Sequence, residues 1–226
     1  MTSNKLLVVN VVVTIALVGG LITGFNLVKK RQLIQTQAKF TEMGITIANL
    51  TNASFSVWWK GPDLQIGCVT MNAQAAVCDN RPAVTHLISL TNLTVGQTYQ
   101  IVVKHGQTTI PLSPFWGQGI HPLSPPKYDS PDIPLTGQVI TSDGQPLDQA
   151  TVFIAPNLSD RMYLPLAAVT NDQGEFFFAN LSDLKFQRVA DLDDYFVEVT
   201  DKNGNKLLET VISKDLLKTP FTITVP

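Results

Sequence analysis

Three histidines, two cysteines and a few clustered acids are the side chains of this 226-residue chain with chemistry to offer. His86, His105 and His121 stand in no H-E-x-x-H or other ligand spacing. His86 is expected to head a strand and His105 to end one, both as ordinary surface residues. Cys68 and Cys78 fall on adjacent expected strands with Asn72-Ala73-Gln74 between them, so a hairpin can set them opposite one another. In an exported domain such a pair reads as a disulfide. Two buried thiols are the competing reading, and a zinc site lacks its second pair of ligands. Asp191, Asp193 and Asp194 cluster, and Asp201, Asn203 and Asn205 alternate like the opening of a calcium loop. A hard cation needs about six to eight oxygens, and no bidentate Glu follows at the right distance. Nucleophile elbow, P-loop and dinucleotide fingerprint are all missing from the sequence. The expectation is therefore no catalytic residue, no cofactor, no metal and no enzyme.

Whatever positions these groups must be built from the rest of the chain. Residues 6–28 run LLVVNVVVTIALVGGLITGFNLV without a charge. As a helix they span roughly 34 Å, enough for a hydrocarbon core of about 30 Å. Lipid makes helix the only choice for a single span, because the backbone must satisfy itself. The run is longer than a signal-peptide core, and no small-x-small cleavage site follows, so it is expected to stay as an anchor. Lys29, Lys30 and Arg31 follow the span and Lys5 precedes it, which by the positive-inside rule puts the C-terminus in the cytoplasm. The exported character of the remaining chain argues for the opposite orientation, at the plasma membrane with the C-terminal part extracytoplasmic. Residues 1–39 are thus anchor and spacer.

From Phe40 onward, 11 Lys or Arg face 18 Asp or Glu, a balance of −7. An acidic ectodomain with no basic stripe excludes nucleic acid as a partner. Its length suits two modules of about 90 to 100 residues, each able to bury its own core.

Residues 40–112 carry short alternating segments broken by turn residues, the all-β pattern. Strands are expected at Ile45–Leu50, Ser54–Lys60, Gln65–Met71, Ala75–Cys78, Thr85–Leu90, Thr98–His105 and Thr108–Leu112. Phe55, Val57 and Trp59 share one face of their strand while Trp58 takes the other, and spacing alone leaves open which tryptophan enters the core. The stretch from Ile47 to Trp59 resembles the first two strands of a fibronectin type III domain. Leu90-Thr91-Asn92-Leu93-Thr94-Val95-Gly96-Gln97-Thr98-Tyr99 is similar to that family's turn into its sixth strand. The resemblance implies that Leu93 plugs the core and that Tyr99 forms a tyrosine corner. Val95 stands where the family usually has proline.

Residues 113–132 form a Pro-rich linker, since seven of the fourteen prolines lie between Pro111 and Pro134. Residues 133–226 return to strands, expected at Leu135–Thr141, Ala150–Ala155, Leu166–Thr170, Glu175–Ala179, Tyr195–Asp201, Leu207–Ile212 and Phe221–Val225. Gly beside Asp or Asn marks their turns. Asp143-Gly144-Gln145-Pro146-Leu147, with Ala150 behind it, and Thr170-Asn171-Asp172-Gln173-Gly174-Glu175-Phe176 are similar to the two hairpins of the carboxypeptidase regulatory-like domain, a transthyretin-type sandwich. Gly144, Pro146, Gly174 and Phe176 carry the match, and the resemblance implies an accessory module without catalytic residues.

The fold expected is all-β, two β-sandwich domains behind one N-terminal transmembrane helix. The function expected is adhesion, envelope scaffolding or surface assembly through a protein or glycan partner at the cell surface. The alternative is a carbohydrate-binding or accessory subunit of an exported hydrolase, with Trp58, Trp59 and Trp116 as possible platforms. Five sequons, at Asn49, Asn52, Asn92, Asn157 and Asn180, matter if the chain passes through a glycosylating pathway.

Overall fold

The computed structural model describes residues 44–112, 119–122, 134–157, 164–179, 194–213, 215 and 220–226. The expected anchor at 6–28 lies outside them, and no helix among the described residues is long and apolar enough to cross a membrane. Every regular element described is a β-strand, and residues 39–226 form one compact unit.

The first seven strands are β1 (Ile45–Ala48), β2 (Phe55–Gln65), β3 (Gly67–Met71), β4 (Val77–Cys78), β5 (Ala83–Leu90), β6 (Ile101–His105) and β7 (Thr108–Ile110). They make two sheets, one ordered β1-β2-β5 and the other β4-β3-β6-β7. Alternation explains the core between them. Ile45, Ile47, Phe55, Val57, Trp59, Ile88 and Leu90 point inward from the first sheet, and Val69, Ile101 and Val103 from the second. Leu93 is buried in this core, and the Tyr99 hydroxyl accepts from the Thr94 N–H at 2.8 Å while donating to Gln97 Oε1 at 2.7 Å. Val95 is exposed in that turn, so little packing depends on its type. Ile120, expected in the linker, instead exchanges both backbone hydrogen bonds with Tyr99 at 2.9 Å and is buried in the first core.

The second seven are β8 (Leu135–Thr141), β9 (Thr151–Pro156), β10 (Leu166–Val169), β11 (Glu175–Phe178), β12 (Asp194–Thr200), β13 (Lys206–Ser213) and β14 (Phe221–Val225). Their sheets are ordered β10-β9-β12-β13 and β11-β8-β14, with β14 parallel to β8 and the other pairs antiparallel. Val139, Val152, Ile154, Phe176, Phe178, Val197, Val199 and Ile223 fill the core. Gly144 and Gly174 take φ of 81° and 72° in their turns, where a side chain would be strained. A Cβ on Gly174 would also stand 3.0 Å from the Leu147 nitrogen and 3.2 Å from Pro146. Burial holds the Tyr195 phenol above its ordinary pKa.

The two sandwiches are packed sheet against sheet. Thr46, Ser56 and Trp58 point away from the first core, yet all three are buried. Trp58 meets Thr151 and Phe153 on the face of the β10-β9-β12-β13 sheet where Ala155, Phe196, Glu198 and Thr200 are buried as well. Both faces of that sheet are therefore covered, which is why β9 and β12 are buried along nearly their whole length. The tryptophan question resolves into two answers: Trp59 enters the first core and Trp58 fills the seam.

Candidate functional site

Three features converge around the junction of the sandwiches: the seam itself, a groove beside it, and a buried pair of histidines at one end of the first core. Trp58 anchors the seam. Its ring meets Phe153 edge-on at 5.4 Å, and its indole N–H donates to Thr151 Oγ1 at 3.3 Å. At the seam's margin Lys60 donates to the Gly204 carbonyl at 3.3 Å and Thr85 to that of Lys202 at 3.1 Å, so the β12–β13 turn is pinned to β2 and β5.

Asn49 closes the other margin. β10 is an edge strand, and Asn49 satisfies its free side as another strand would. Its Oδ1 accepts from the Ala167 N–H at 2.8 Å, its Nδ2 donates to the Ala167 carbonyl at 2.9 Å, and its own N–H donates to the Pro165 carbonyl at 3.0 Å. The backbone sits at φ 52°, a left-handed conformation that asparagine tolerates better than most residues. A glycan on this amide would break the bridge, so the Asn49 sequon is structural. Asn49→Ala is expected to cost about 2–3 kcal/mol, because a buried amide loses its partner and alanine strains at this φ. For a unit of this size that is a fall in Tm of roughly 4–12 °C. Asn49→Gly removes the strain but not the lost bonds, so scanning calorimetry of both variants separates the two causes.

The histidines are not surface residues. His86 and His105 are 2% and 3% exposed, a correction to the sequence reading. His86 follows the inward alternation of Ile88 and Leu90 on β5, and His105 that of Ile101 and Val103 on β6. The period-two signal was present, but histidine's polarity argued against reading it that way. The His86 Nδ1 bonds the Asp79 carboxylate, its Nε2 meets His105 Nδ1 at 2.9 Å, and His105 Nε2 meets Asp63 Oδ1 at 3.0 Å. The His86–His105 and His105–Asp63 bonds cross between the two sheets and Asp79 reaches His86 from just past β4, so the row stitches shut one end of the sandwich.

Local sequence makes the space. A Cβ on Gly67 would overlap the His86 ring and fall 2.6 Å from Trp59 Cζ2, and one on Gly61 would overlap the His105 ring. Trp59 lies opposite His86 in the β2–β5 register and stacks on it, centroids 4.6 Å apart. The expected Cys68–Cys78 disulfide is formed and joins directly opposed residues of β3 and β4. Because β4 pairs through two residues alone, this bond and the Asp79 N–H to the Gly67 carbonyl (2.9 Å) are what hold Asp79 over His86.

Asp79 and His86 also line a groove of about 490 Å³ at the junction, with Arg81 and Pro82 on one wall and Lys202 and Asn203 on the other. All four imidazole nitrogens of the pair are engaged within the row, so neither ring presents a free nitrogen to the groove. His121 is exposed and bonds Thr98 at 3.2 Å. In the segment that alternates like a calcium loop, Asp201 accepts from the Asn203 and Asn205 N–H groups, both at 2.8 Å, and from the Asn205 side chain, as a turn-forming aspartate does. Asp191 and Asp193 lie outside the described residues, and among those described no group of three or more His, Cys, Asp or Glu suits a metal. Of the three tryptophans on which the alternative, carbohydrate-binding reading depends, Trp58 and Trp59 are fully buried, and Trp116 lies outside the described residues.

No family model matches this sequence, and no curated protein does. Among solved structures, a two-domain fibronectin type III segment of chicken tenascin is similar over 75% of this chain and 97% of its own, at 14% identity and a TM-score of 0.25. A pullulanase from Anoxybacillus sp. LM18-11, complexed with maltotriose, is similar over 74% of this chain and 25% of its own, at 9% identity and a TM-score of 0.21. Scores this low carry no argument, and the all-β architecture rests on the strands themselves.

Proposed function

We propose that this chain is a non-enzymatic, membrane-anchored extracytoplasmic protein that presents a rigid double sandwich for adhesion, envelope scaffolding or surface assembly. On this reading the first sandwich is of the fibronectin type III kind, the second of the carboxypeptidase regulatory-like kind, and residues 6–28 are the anchor. The observation that carries it is the seam. Trp58, Phe153 and the Asn49 bridge join the sandwiches into one body, a form suited to holding a surface at a set distance rather than to closing around a substrate. The Cys68–Cys78 bond supports an oxidising compartment. The engaged nitrogens of both buried histidines support a structural rather than a catalytic use. A surface-bound protein or glycan is the partner this reading requires.

The test is impermeant protease on intact cells, followed through a C-terminal tag, with and without reductant. Digestion of the tagged domain together with a reductant-dependent mobility shift is the expected result. A protected domain with free thiols would place it in the cytoplasm, as the charges at Lys29, Lys30 and Arg31 prescribe, and would end the surface reading.

A further inference from the structure

The histidine row makes more contacts than two neutral imidazoles have N–H groups to fill. The row has three contacts in series: Asp79 to His86, His86 to His105, and His105 to Asp63. An ionised carboxylate only accepts, so each outer contact needs an N–H from its imidazole. Two neutral imidazoles carry one N–H apiece, and both are then spent on the outer contacts. The inner nitrogens, 2.9 Å apart, would face each other lone pair to lone pair. A hydrogen bond at that distance requires a third proton. With it the row is complete and the pair carries one positive charge between two carboxylates. With a fourth, the inner contact becomes donor against donor.

We propose that Asp79, His86, His105 and Asp63 form a proton-held latch, in which one proton shared between the imidazoles keeps β4 and the adjoining groove wall seated on the first sandwich. Loss of that proton leaves two ways of relieving the inner contact. The rings separate, or one turns to its other tautomer and gives up its carboxylate. When Asp79 is released, the segment Asp79–Pro82 that walls the groove loses its side-chain tie and keeps only the disulfide and one backbone bond. An exported protein meets the pH of its surroundings directly, and imidazole is the side chain that titrates there.

The other charged groups around the row are few. Lys60 on β2 is engaged with the Gly204 carbonyl, and Lys104 on β6 alternates to the exposed side. Arg81 and Lys202 line the groove with Asp79. No residue of β1, β3, β4 or β7 is ionisable apart from the disulfide-bonded cysteines. A metal ion is the rival occupant, since ligating imidazoles also turn their outer N–H toward carboxylates. Two nitrogens sharing one zinc at about 2.0–2.1 Å each stand farther apart than these do, so the present spacing suits a proton.

Two neutral imidazoles supply two N–H groups where the latched row uses three, so removing the third proton destabilises the native state and stability is expected to fall as pH rises through that step.

The experiment is nitrogen-15 NMR of the full chain in detergent micelles with labelled histidine, joined to denaturant unfolding across pH. Expected are three protonated ring nitrogens of four in the pair near neutral pH, and backbone amide signals of 79–81 that move as the third proton leaves. Unfolding should show an alkaline flank that vanishes in Asp79→Asn, whose amide donates to His86 Nδ1, so that two neutral imidazoles complete the row without a third proton. Two protonated nitrogens at neutral pH would overturn the latch, as would an alkaline flank unchanged in that variant. So would added Zn²⁺ that raises Tm while both inner nitrogens lose their protons. The NMR arm reads the wild-type chain, so the test survives a variant that fails to fold.

Discussion

Trp58→Ala should lower the melting temperature by roughly 8–16 °C, the equivalent of about 4 kcal/mol for truncating a fully buried tryptophan in a unit of this size. The indole is wholly enclosed between two sheets, so its removal leaves a void that neither can fill by moving alone. Wild-type protein should unfold in a single calorimetric transition, because the seam makes each sandwich the cover for the other's face. In the variant that transition should broaden or split as the two halves lose their common contact. Trp58→Phe keeps most of the ring but not the bond to Thr151, which at 3.3 Å is long, and it should cost much less than the alanine variant. A Tm change under about 2 °C in Trp58→Ala, with the single transition intact, would mean that the seam does not couple the sandwiches.

Gly67→Ala is the second large effect, expected at about 3 kcal/mol or roughly 6–12 °C in Tm. Its added methyl would overlap the His86 ring and stand 2.6 Å from Trp59 Cζ2, both within a closed core, so there is no flexible side-chain end to give way. His86 must move, and in moving it leaves Asp79 and His105 together. The damage is specific: His86→Ala in the same background should recover part of the loss, because it removes the atoms that clash. Chemical denaturation of the single and double variants measures this directly. Additive losses would show that Gly67 is needed for some reason other than the ring.

Much of the molecule was legible from alternation and turn chemistry. Phe55, Val57 and Trp59 were assigned to one face of β2 and Trp58 to the other because side chains in a strand must alternate, and the structure agrees. The Cys68–Cys78 pairing followed from a short hairpin in an exported domain, and the β3–β4 register sets the two residues opposite each other. The positive φ of Gly144 and Gly174 followed from turns that only glycine enters without strain. Ile120 was misplaced because a Pro-rich stretch reads as a spacer throughout, although a single residue within it can still pair with Tyr99.

His86 and His105 show where local reading ends. Their alternation pointed inward while their polarity pointed outward, and a sequence cannot weigh the two without knowing which partners await inside. Asp63 on β2 and Asp79 just past β4 supply those partners, and Gly61 and Gly67 supply the room. Strand faces, turns and the disulfide depend on neighbours a few residues away, so they could be read along the chain. The seam through Trp58, the bridge of Asn49 to β10 and the four-residue proton row join segments up to 118 residues apart. Those emerge with the folded molecule alone, because a buried polar group or a covered sheet face takes its character from whatever the rest of the chain brings against it.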